Sequence, residues 1–185
     1  MLPELIPYSI FYCLQFFIPL LVVLNAARVE LRYLNRKVLI AATNITILIA
    51  GLLTFFIPVI QLFADYFGGV EYDQYAVINR YIGPMGMFAW LRLLTQVVIP
   101  QMMWNKSFRS SIVSACVWLI TYWVFPLADT LLLKYIVGSS LVTFTPIKHF
   151  VDYAGHAIIF LMVIVPVYLL VSLNISRNRI KRSQR

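Results

Sequence analysis

The sequence predicts an all-α integral membrane protein, a bundle of five transmembrane helices, and three observations predict it. Hydrophobic residues make up 62% of the chain and charged residues only 12%, with a mean hydropathy of +0.85, well outside soluble globular composition. The apolar residues gather into five runs, each of the length needed to cross a ~30 Å hydrocarbon core at ~1.5 Å per residue. The connections between the runs alternate in charge, as the positive-inside bias requires.

The first run, 5–27, carries Gln15 and Pro19. The segment before it lacks the basic n-region and small-residue cleavage site of a signal peptide, so the run is expected to be retained as a helix. Arg28, Arg32, Arg36 and Lys37 follow it, against one acid, Glu30. The second run, 38–64, holds Asn44, Thr46, Thr54 and Pro58. At 27 residues it would span ~40 Å, so it must tilt or protrude. Residues 65–81 read as a polar loop with Asp65, Glu71, Asp73 and four tyrosines suited to an interface.

The third run, 82–104, is joined to the fourth, 107–127, by a short basic turn with Lys106 and Arg109, which makes the two antiparallel neighbours. Residues 129–146 are polar enough to leave the membrane and could include a short interfacial segment. The fifth run, 147–173, ends in a basic tail, 174–185. The first and third connections and this tail hold 11 of the 15 Lys and Arg, while five of the seven acids fall on the other side. Five crossings then put the N-terminus outside and the C-terminus in the cytoplasm. Residues 1–185 form one transmembrane domain.

Charge placement also excludes function classes. The net charge of +8 lies between and after the apolar runs rather than on a folded basic patch, so nucleic acid is not a partner; anionic lipid and other membrane subunits are. Cys13 and Cys116 stand in apolar runs with no ligand-spaced neighbour, so no metal site or disulfide framework is indicated.

The residues that could carry chemistry lie on the third and fifth runs. Arg92 sits near the middle of the third with Gln96 one turn on, and an ionised side chain at such depth costs at least ~2.5 kcal/mol unless it meets a partner or a wet cavity. His149, Asp152 and His156 share one face of the fifth run. Measured from the outer boundary, Asp152 lies ~8 Å, His156 ~14 Å and Arg92 ~15 Å deep. Arg92 is therefore expected within ion-pair or one-water reach of Asp152 or His156. Such a group could bind a quinone and exchange its protons, since His titrates near neutral pH. It could also relay protons without a ligand, or be a structural ion pair. Two histidines seven apart on one helix cannot take the opposite axial positions of one haem, so haem is not expected.

The run Tyr81-Ile82-Gly83-Pro84, followed by Val98-Ile99-Pro100-Gln101-Met102-Met103-Trp104, a basic turn ending in Arg109 and another apolar helix, resembles the membrane subunits of the polysulfide reductase NrfD-like family. That family includes the quinol-binding membrane subunits of alternative complex III, and the likeness covers about residues 81–123. It implies a helical subunit with no covalent cofactor, not catalytic alone, that passes electrons between quinone and a partner's iron-sulfur or haem chain in the inner membrane of a prokaryote. Pro100, Gln101, Trp104 and Arg109 match the family's helix-end motif rather than its redox site, and the family's members have more helices than this chain supplies. Two other expectations stand beside it: an accessory, assembly or scaffold subunit of another membrane machine, with a structural charge cluster, or a small carrier or channel.

Overall fold

The computed structural model describes residues 2–27, 34–83, 86–137 and 150–183. Every regular element among them is helical: α1 Leu2–Ala26, α2 Arg36–Gly68, α3 Glu71–Ile82, α4 Gly86–Leu93, α5 Ile99–Gln101, α6 Lys106–Arg109, α7 Ile112–Val137 and α8 Phe150–Ser183. A π-helical turn, Leu94–Val98, links α4 to α5, and a 3₁₀ turn, Met102–Trp104, follows α5. Three stretches are long and apolar enough to cross a membrane, Leu5–Ala26, Arg36–Gly68 and Ala154–Arg177, and Ile112–Val124 is a shorter apolar one. This makes the chain compatible with a multi-pass membrane protein.

α2 is the hub of the bundle, packed against α1, α7, α8 and the broken third run, and α1 lays the main apolar stripe against it. Ile10, Leu14 and Ile18 recur every four residues and are fully buried, the spacing that keeps side chains on one helical face. With Phe11 they meet Ile47 and Leu48 of α2, Ala115 and Trp118 of α7, and Phe160 and Ile164 of α8. Phe16, Leu20 and Val23, on the other side of α1, are exposed.

α1 and α8 run parallel. Ser9 meets His156 near the start of both helices, and further along Leu21 and Tyr168 belong to one cluster. The Tyr168 hydroxyl accepts from the Asn35 N–H at 3.0 Å. Arg36 Nη1 reaches the Asn25 carbonyl at 3.4 Å, so the end of α1, the start of α2 and the Tyr168 stretch of α8 gather together.

The Lys106–Arg109 turn joins the same half of the bundle through Asn44. That side chain is fully buried, and its amide donates toward the Phe108, Arg109 and Ser111 carbonyls at 3.3, 2.9 and 2.8 Å. One α2 residue thus holds the turn that precedes α7.

The third apolar run is a broken helix, and Pro100 explains the break. Its nitrogen offers no hydrogen to the Gln96 carbonyl and its ring crowds that carbonyl, so the helix widens by a residue just before it. The Thr95 hydroxyl donates to the Leu91 and Arg92 carbonyls at 3.2 and 3.1 Å. Gly51 of α2 faces the break: a Cβ there would stand 2.6 Å from Pro100 Cβ and 3.1 Å from the Gln96 carbonyl oxygen. Only glycine lets the two helices come this close.

Four boundaries differ from the sequence expectation. Residues 65–81, expected as a polar loop, are the end of α2 and most of α3. Glu71 and Asp73 stand in the first turn, where the helix dipole favours acids, Gly83 caps its end, and no Gly or Pro interrupts it. Gln74 Nε2 also donates to the Tyr66 carbonyl near the end of α2 at 3.0 Å.

The helix of the fourth run begins at Ile112 rather than 107 and continues to Val137. Its start is capped by Ser111 Oγ, which accepts from the Val113 N–H at 3.2 Å, while Asn105 Oδ1, which accepts from the Ser107 N–H at 3.0 Å, caps the short α6 before it. α8 begins at Phe150 and continues through the basic tail to Ser183. The tail sequence contains no Gly or Pro to interrupt the helix.

Candidate functional site

The polar groups that the bundle brings together start on α1. Tyr8, Tyr12 and Gln15 lie at i, i+4 and i+7, one face of the helix, with Ser9 beside them. Ser9 is fully buried, and its Oγ stands 2.6 Å from the Leu5 carbonyl and 2.7 Å from His156 Nδ1. A serine hydroxyl has one hydrogen. Donating it to Leu5, which can only accept, leaves Oγ as an acceptor, so Nδ1 of His156 carries the proton that completes the chain. Neutral His156 is then the Nδ1–H tautomer, with Nε2 free to accept a proton.

Two tyrosine rings enclose the imidazole. Tyr8 meets it edge-on at 5.6 Å between centroids and Tyr12 at 5.5 Å.

A second polar group borders the first on α7. The Tyr122 hydroxyl lies beside Gln15, with Tyr8 and Arg92 nearby. Its ring packs at a tilt against Phe11 and Trp118, with centroids 5.7 and 5.1 Å apart. Trp118 is fully buried, and its indole Nε1 has no hydrogen-bond partner among the described residues.

Of the residues expected from sequence, Arg92, Gln96 and His156 are described here. Arg92 is exposed, and its Nε donates to Gln96 Oε1 at 3.3 Å across the break in the third run. The hydrogen-bond partner of His156 is Ser9. His149 and the side chain of Asp152 lie outside the described residues, and with them the expected Arg92–Asp152 pair.

The helix-end residues have structural partners. Trp104 Nε1 donates to Gln101 Oε1 at 2.9 Å, Pro100 is buried against Gly51, and the Arg109 carbonyl accepts from Asn44. Among the described residues no three His, Cys, Asp or Glu side chains converge.

Sequence reading missed Ser9, Tyr8, Tyr12 and Tyr122. The Tyr-x₃-Tyr-x₂-Gln spacing on one face of the first run was the available signal; that this face meets His156 depends on how α1 and α8 pair. No protein family, curated protein or solved structure matches the chain.

Proposed function

We propose that the chain is an integral membrane subunit of a respiratory or electron-transfer complex, with five spans in the inner membrane of a prokaryote, and that His156 exchanges protons with a quinol there. The observation that carries this reading is the Ser9–His156 pair with its two tyrosines. It sets an unprotonated Nε2 in a partly buried, apolar-walled position. A quinol hydroxyl donates to Nε2, the imidazolium is held by Ser9, and the proton leaves on the side where α1 and α8 begin. The two electrons pass to a partner's iron-sulfur or haem centre, so quinol becomes quinone with both protons released. The resemblance of residues 81–123 to NrfD-like subunits points the same way.

The parallel pairing of α1 and α8 agrees with an odd number of crossings. Counting the broken helix and α7 as an antiparallel pair makes five. The basic connections then share the cytoplasmic side.

A partner subunit is supported by α2. Its 33 residues measure ~50 Å against a ~30 Å core, so its far end projects even when tilted. Phe56, Ile60, Phe63 and Phe67 form an exposed stripe at spacings of four, three and four, a pattern that suits a second helix. This stripe equally fits a scaffold subunit with no redox role.

The deciding experiment is a His156→Ala exchange in the complex isolated from membranes, with quinol oxidation and bound quinone measured. The expected result is an assembled complex that has lost at least tenfold in turnover, a typical contribution of a general base being ~10²-fold or more. Unchanged turnover removes the proton role. A native complex with no quinone, haem or iron-sulfur centre favours the scaffold.

A further inference from the structure

A groove opens between α1 and α8 immediately beside the His156 cluster. It measures about 550 Å³ and is bounded by Tyr12, Phe16 and Leu20 on one side and Ala157, Phe160 and Leu161 on the other. That volume lies within the ~300–1,000 Å³ usual for small-molecule sites. From Tyr12 to Leu20 the wall extends ~12 Å along α1.

Three features assign it a direction and an occupant. Tyr12 belongs to both sites, its ring standing 5.5 Å from the imidazole while it also lines the groove. Ala157 follows His156 directly in sequence. The site is therefore polar at one end and almost wholly apolar along the rest, the pattern of an amphiphile with its head at His156. The walls are braced: Tyr12 meets Phe16 edge-on at 5.6 Å, and Phe17 holds Phe160 in the same way at 5.4 Å. Rigid rings keep the groove open and present flat faces to flat, methyl-bearing units. A lipid-facing opening lets such a chain enter sideways from the bilayer.

We infer that this groove binds the isoprenoid tail of the quinol whose head His156 receives, with the chain lying along Phe16, Leu20 and Leu161. The inference rests on the quinol reading above.

The test uses the complex isolated from membranes and two probes, a naphthoquinone with a short prenyl tail and the same head carrying only a methyl group. Ala157→Phe fills the groove from an exposed position. It should weaken the prenylated probe about tenfold, roughly what displacing two methylene-sized contacts costs, and leave the methyl probe unchanged. Leu161→Ala, also at an exposed position, widens the groove without opening the core and should weaken the prenylated probe several-fold.

Equal binding of the prenylated probe by wild type and both variants overturns the tail site while leaving the head site standing. Tail binding that responds to Ala157→Phe but not to His156→Ala keeps the groove and removes the head. Binding of neither probe by the wild-type complex removes both. A photoactivatable phosphatidylglycerol that labels Phe16 and is not displaced by the prenylated probe would show the groove to hold ordinary lipid, which also overturns the proposal.

Discussion

At the scale of single residues, the decisive contact is one hydroxyl. Ser9 sits in an apolar helix, where its hydrogen is satisfied by the carbonyl four residues back, a common arrangement for serine. What is uncommon is the second partner, an imidazole 147 residues away in sequence. Removing the hydroxyl leaves His156 Nδ1 without its acceptor at a partly buried position, a loss of about 1–3 kcal/mol. Ser9→Ala should therefore lower the thermal stability of the assembled complex and free the imidazole to change tautomer. Nitrogen-15 spectra of labelled histidine should shift from Nδ1–H toward Nε2–H. Ser9→Thr, which keeps the hydroxyl, should retain the wild-type spectrum.

Asn44 is the corresponding residue at the other end of the bundle. Its amide faces three carbonyls of the turn before α7, a geometry that accepts a donor and repels an anion. Asn44→Asp should be worse than Asn44→Leu, since the carboxylate adds repulsion to the lost hydrogen bonds at a fully buried position. The yield of folded protein after extraction is the measurement. Equal yields would mean that the turn is held by its own caps, Asn105 and Ser111.

At the scale of elements, the third apolar run shows how one proline shapes its neighbours. Pro100 prevents a regular helix, the π turn absorbs the mismatch, and Gly51 of α2 closes on the result. Gly51→Ala places a methyl group against Pro100 Cβ and should cost about 1–3 kcal/mol by overpacking. Pro100→Ala restores the missing N–H and should straighten 94–98, turning Gln96 relative to Arg92. If the two helices are fitted to each other in this way, Gly51→Ala combined with Pro100→Ala should cost less than the sum of the single changes, and a double-mutant cycle on thermal stability measures the coupling. Strict additivity would show that the close approach does not depend on the break.

For the whole molecule, the arrangement of the ends makes a labelling prediction. Cysteines introduced at Lys37 and Lys106 should react from the cytoplasmic side, and cysteines at Gln74 and Ile78 of α3 only from the outside, with a C-terminal reporter cytoplasmic. Labelling of Lys37 and Gln74 from the same side would remove the five-span topology. The exposed stripe on α2 also predicts that the isolated chain melts well below the assembled complex, because a projecting row of Phe and Ile is left in water without its cover. Equal melting points would argue that this stripe lies in lipid.

Composition and period by themselves determined that the chain is helical and apolar enough for a membrane, because backbone satisfaction in lipid leaves a 62% hydrophobic chain of long runs few other forms. They also located Arg92, Gln96 and His156 as residues whose burial would need a reason. Helix ends were less legible. Glu71, Gly83, Asn105 and Ser111 are local stop and start signals, yet the polar composition of 65–81 and the basic tail hid helices that charge and capping support. Which helices touch was decided only by the tertiary structure. Ser9 resembles many serines in apolar helices, and nothing along the chain links Tyr8 and Tyr12 to the fifth run, until parallel packing of α1 and α8 turns one face of the first helix toward His156. That choice depends on shape, on Ile10, Leu14 and Ile18 fitting between Trp118 and Phe160 and on Gly51 admitting Pro100, and such complementarity between residues distant in sequence leaves no periodic trace in the chain.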